Sequence, residues 1–127
     1  METAGAVAVV LLAVVALFQL ALALGAPFGR AAWGGQNEGT LPRGLRVASA
    51  ITGLFFYPAA IAIVLSASGL IEADLVAGQG DVMMWALTGL FAVGGVANAA
   101  SRSPLERWWA PVSVTVAACC AYVGGSL

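Results

Sequence analysis

Histidine and lysine are both absent from this chain, and charge of either sign is scarce. Without an imidazole there is no histidine ligand for haem or a metal and no histidine general base. Charged residues make up 9% of the chain, where a soluble domain carries roughly 25%. Together with an apolar share of 61% and a mean hydropathy of +0.98, that deficit excludes an ordinary soluble fold and excludes disorder. Cysteine is limited to Cys119 and Cys120, side by side in an apolar run. Adjacent cysteines suit neither a disulfide nor a CxxC or zinc pattern, so they read as small apolar residues of a helix. No metal and no cofactor is expected. There is no basic patch beyond a few arginines beside apolar runs, so nucleic acid is not an expected partner.

The apolar runs define the architecture. Four of them, at about 4–26, 46–71, 82–100 and 111–127, are candidate spans of the ~30 Å hydrocarbon core at ~1.5 Å per helical residue, the fourth short but sufficient if little tilted. The expected fold is all-α: a single transmembrane domain over residues 1–127, an integral membrane four-helix bundle with a long cytoplasmic loop between helices 1 and 2. Ala21-Leu22-Ala23 resembles a signal-peptide cleavage site. The run before it is too long for an h-region, and its lead carries Glu2 and no basic residue, so it reads as an uncleaved span.

The five basic residues are all arginines, and they are unevenly placed. Arg30, Arg43 and Arg46 fall between the first and second runs, Arg102 and Arg107 between the third and fourth. The gap from Glu72 to Asp81 holds only acids. Basic loops are retained on the cytoplasmic side, so the arginine loops should face the cytoplasm of an inner membrane, with both termini and the acidic loop outside. Pro58 should perturb the second span, Asp81 should act as N-cap of the third, and Pro111 should bend the fourth as it enters the bilayer. Ser103, Pro104 and Glu106 fit a capping box at a helix start, followed by Trp108 and Trp109 as interface markers.

Polar residues within apolar runs are costly in lipid and so informative. Gln19, Ser49, Thr52, Asn98 and Ser113 all fall in the half of the membrane nearer the arginines. Helical spacing gives three inward stripes: Leu87, Phe91, Gly94 and Asn98; Ser49, Gly53, Phe56 and Ala60; Ser113, Val116, Cys120 and Gly124. Gly95 and Ala99 form a small-xxx-small pair suited to close helix approach, including a homodimer. Two readings of the amides stand side by side. Gln19 and Asn98 hydrogen-bond across helices as packing groups, or they line a polar cavity open to the cytoplasm.

The first loop is the other unusual feature. Residues 25–46 are longer than most helix connections and combine glycines with the apolar anchors Phe28, Trp33 and Leu41. This composition predicts a loop folded back on the bundle mouth. Trp33, Gly34 and Gly35 can offer backbone N–H groups to an anion, with Arg30, Arg43 and Arg46 supplying charge. The alternative is a packed interfacial loop whose arginines meet lipid phosphates. Candidate ligand-binding residues are Arg30, Trp33, Gly34, Gly35, Arg43, Gln19 and Asn98. Glu106 is the acid nearest that cluster apart from Glu38.

The stretch Gly25 to Gly35, then Leu41-Pro42-Arg43-Gly44-Leu45-Arg46, and later Asn98 with Ser101 to Arg107, resembles a group of small bacterial four-span membrane proteins. The resemblance implies an integral inner-membrane protein and carries no activity. Small multidrug transporters share the size and span count but depend on a carboxylate within the first span; here that span has only Gln19. The expected function is therefore binding of a lipid headgroup, a small anionic ligand or a partner at a cytoplasm-facing cavity, with membrane lipids and a second copy or another membrane protein as partners. The alternatives are an intramembrane enzyme using Glu106 on a lipid-like substrate and a homodimeric transporter protomer.

Overall fold

The computed structural model describes residues 1–127 and is all-helical. Four helices are long and apolar enough to cross a membrane: α1, Glu2–Ala23; α2, Arg43–Ala67; α3, Gly80–Ala99; and α4, Pro104–Ser126. This marks a multi-pass membrane protein. The helices form a ring in which each packs on its sequence neighbours and α1 closes on α4, with α3 and α4 the most extensive pair. Large apolar side chains point outward along every helix, among them Leu17, Phe55, Val93, Val96 and Val114. Trp108 stands exposed at one end, and Trp85 and Tyr122 toward the other, as aromatic groups do at the two membrane–water boundaries.

All five arginines gather at one end of the ring. There the segment 24–42 meets the short turn before α4. At the opposite end lie the acidic connection and both termini: Gly5 abuts Ser68, and Gly80 abuts Leu127. The acidic connection is held by Ser66, whose hydroxyl donates to Ala73 O and accepts the Leu75 N–H, and by Asp74, which accepts the Val76 and Ala77 N–H groups.

The core fills the acidic half. Ala8 and Leu12 of α1, Ala60 and Val64 of α2, Met84 and Leu87 of α3, and Val116, Cys120 and Val123 of α4 form one buried cluster. Cys120 is a core residue, and both thiols are free. The inward stripe Ser113, Val116, Cys120, Gly124 matches the observed inner face of α4, with Gly124 against Met84 and Trp85.

Four local expectations need correction. First, the inner face of α2 runs through Tyr57, not Phe56, which is exposed. Pro58 has no N–H to give, and its ring displaces the carbonyl four residues back. The chain answers with a π-turn over Thr52–Phe56, in which the Tyr57 N–H donates to Thr52 O. A wider turn brings the fourth residue after Gly53 inward instead of the third. Second, Asp81 is not the N-cap of α3. The helix begins at Gly80 with Gln79 at the cap, because a turn from Val76 to Gln79 already directs the chain into the helix. Asp81 sits in the first turn, where a carboxylate still complements the helix dipole. Third, of the small pair Gly95 and Ala99 only Gly95 serves a close helix approach, and within the ring. Gly95 is buried against α4, where an added Cβ would lie 2.8 Å from Val114 Cγ2, while Ala99 is exposed. Fourth, α4 loosens at Trp108, upstream of Pro111, while keeping helical backbone angles, because the proline has no N–H for the Arg107 carbonyl.

Candidate functional site: a roofed cavity at the arginine end

The half of the ring near the arginines is hollow. A cavity of about 220 Å³ lies between Leu12, Phe91 and Val116 below and the turn carrying Ala31, Ala32 and Trp33 above. Its walls bring together Gln19 of α1, Thr52 and Tyr57 of α2, Asn98 of α3, and Glu106 and Ser113 of α4. Residues far apart in sequence thus converge on one site because all sit near the same end of their helices. Thr52 and Tyr57 flank the π-turn, so the proline-driven irregularity also orients two polar walls.

The roof is built from the first loop. Helix α1 ends with Gly25 at φ +101, its N–H on Leu22 O and the Ala26 N–H on Ala21 O, the pairing of a Schellman stop that glycine accommodates without Cβ strain. Arg46 Nε donates to Ala23 O at 3.1 Å, placing a cation on the carbonyl end of α1. Leu41 then packs with Leu22 and Ala32, and Phe28 stays exposed. Trp33 takes an unusual left-handed backbone, φ +50, followed by Gly34 at φ +83. Two long-range hydrogen bonds hold this conformation. Trp33 Nε1 donates to Ser49 Oγ at 2.9 Å, and the Gly34 N–H donates to Glu106 Oε2 at 2.8 Å. The Ser103 hydroxyl adds a third by donating to Arg30 O.

These bonds replace the expected capping box. Neither Ser103 nor Glu106 caps the helix begun at Pro104; the Ser103 N–H instead donates to Ser101 Oγ at 3.1 Å. Ser103 and Glu106 are both buried because the loop covers them, so their side chains serve the loop's backbone and not their own. The loop does present an N–H to an anion, and that anion is the chain's own Glu106.

The candidate residues divide between two places. Gln19, Trp33 and Asn98 line the cavity. Arg30, Gly34 and Gly35 line a separate polar recess of about 490 Å³ on the outer side of the loop, together with Arg102. Arg43 is exposed on the first turn of α2 and borders neither. Arg30 is ion-paired with Glu38, the one salt bridge of the molecule. The two amides also differ. Asn98 Nδ2 donates to Ser113 Oγ at 3.3 Å, joining α3 to α4, whereas Gln19 Oε1 is buried and has no partner. An acceptor left so costs ~1–3 kcal/mol, which a ligand donor would recover. Tyr57 and the wall residues Phe18 and Trp109 were not among the candidates; Tyr57-Pro58 was the sequence signal for the first.

No family model matches the chain, and neither a curated protein nor a solved structure matches it.

Proposed function

We propose that this is a membrane protein that binds a small amphiphilic ligand in the cavity beneath the Trp33 turn, with the arginine end facing the cytoplasm. One observation carries the reading: a buried acceptor without a donor, Gln19 Oε1, on the wall of a mainly apolar cavity that also has a few converging polar groups. That composition is typical of small-molecule sites. Intramembrane polar groups left unpaired by packing favour a ligand role over a structural one. The recess bearing Arg30 and Arg102 suits lipid phosphates at the membrane surface, which would seat the loop at the headgroup level. Binding is favoured over catalysis because Glu106 is the only acid on the cavity wall and the chain has no histidine to work with it.

Native mass spectrometry of the protein released from its bilayer tests this reading. The expected result is one amphiphile retained per chain, and its loss when Trp33→Ala and Asn98→Ala are combined. A ligand-free chain under conditions that keep it folded would overturn the proposal.

A further inference from the structure

The cavity contains no cation. None of the five arginines lines it, and its only formally charged wall is Glu106, negative and buried. An anionic head placed there would be desolvated beside a carboxylate with nothing to balance it, an arrangement a low-dielectric site penalises heavily. Gln19 Oε1 asks for a donor, and the Glu106 carboxylate, with one hydrogen bond from Gly34, has acceptor capacity to spare. At about 220 Å³ the volume falls below the ~300–1,000 Å³ of pockets that hold drug-sized ligands. That suits a small head and a few carbons, not a whole lipid.

The rest of a chain has a place to lie. An apolar groove between α1 and α4 is lined by Phe18, Phe28, Leu105, Trp108, Trp109 and Val112. It shares Phe18, Ala31, Trp109 and Val112 with the cavity. The Phe18 and Trp109 rings, with centroids 4.8 Å apart, stand where the two spaces meet.

Building on the binding reading above, we infer that the ligand is a single-chain amphiphile whose head donates hydrogen bonds and bears no negative charge, and that it enters sideways from the lipid between α1 and α4. The head sits between Gln19 and Glu106, and the alkyl chain runs out past Phe18 and Trp109. The shared chemistry is the donor head, met equally by a glycerol hydroxyl or a long-chain amine.

The test uses three probes with one chain length in phosphatidylcholine nanodiscs: monododecanoyl glycerol, dodecylamine and dodecyl phosphate. The first two are expected to bind at least about tenfold more tightly than the phosphate. Gln19→Leu should weaken both by about tenfold, the loss of one hydrogen bond, while leaving the thermal midpoint unchanged or higher because it removes an unpartnered buried group. Whichever donor head binds more tightly identifies the natural one. Val112→Trp, which fills the portal, should slow probe exchange about tenfold, as a constricted path does. Equal or tighter binding of dodecyl phosphate, or indifference to Gln19→Leu, would overturn the head assignment while leaving a binding protein. Unchanged exchange in the Val112 variant would overturn lateral entry. If no probe binds, the binding reading falls as well.

Discussion

Glu106 and Gly34 are 72 positions apart, and the bond between them closes the roof of the cavity. Its removal should be visible at once. Glu106→Ala removes the part-buried hydrogen bond to the Gly34 N–H, worth ~1 kcal/mol. The expected outcome is a lower thermal midpoint and faster proteolysis within residues 28–40, because the left-handed turn loses one of the contacts that hold it. Glu106→Gln retains an acceptor oxygen and should keep the loop seated. Equal protection of the loop in both variants would show that this bond does not hold it. This link was not legible in the sequence. Ser103-Pro104-Leu105-Glu106 is locally a helix-capping pattern, and only the tertiary approach of the loop diverts both side chains to other donors and acceptors. The pairing of Asn98 with Ser113, and the lack of any partner at Gln19, likewise depend on how helices are rotated, which periodicity alone leaves open.

At the scale of elements, glycine position decides how closely helices approach. Gly95 faces Val114 at contact distance, whereas Gly89 on the same helix has open space around it. Gly95→Leu overpacks the α3–α4 contact and should destabilise by ~1–3 kcal/mol. Gly89→Leu should be neutral or stabilising by up to ~1 kcal/mol, since glycine is a poor helix former. Unfolding titrations of the two variants check the contrast; equal effects would mean that the α3–α4 contact is not as described. The four helices themselves were readable, since length and apolar content define them without knowledge of packing. Their inner faces were readable where the helix is regular, as in α4, and misassigned at Phe56, where one π-turn shifts the period. Tyr57-Pro58 signalled a disturbance there, but a proline does not specify whether the helix kinks, breaks or widens.

Over the whole molecule, the acidic half is packed and the arginine half is hollow, and charge, loop and cavity share one end. The charge asymmetry was plain in the sequence, and the shared depth of Gln19, Thr52, Asn98 and Ser113 pointed to a polar cavity at the same end; the Phe18, Tyr57 and Trp109 walls were not legible, because they depend on how the helices are rotated. The proposed cytoplasmic placement of the arginine end rests on the basic loops and can be checked with single cysteines. In a background with Cys119→Ala and Cys120→Ala, a cysteine at Gln36 should resist a membrane-impermeant maleimide in intact cells, and one at Asp74 should react. The reverse pattern would invert the topology.

The central claim is that an amphiphile's head occupies the space beneath Trp33. Photolabelling in bilayers tests it most directly, using the tighter-binding dodecyl probe with a diazirine beside its head. The account predicts saturable adducts on the peptides carrying Gln19, Trp33 and Asn98, suppressed by excess unlabelled probe. Adducts confined to outward residues such as Leu17, Val93 and Val96, and not suppressed by competitor, would contradict it.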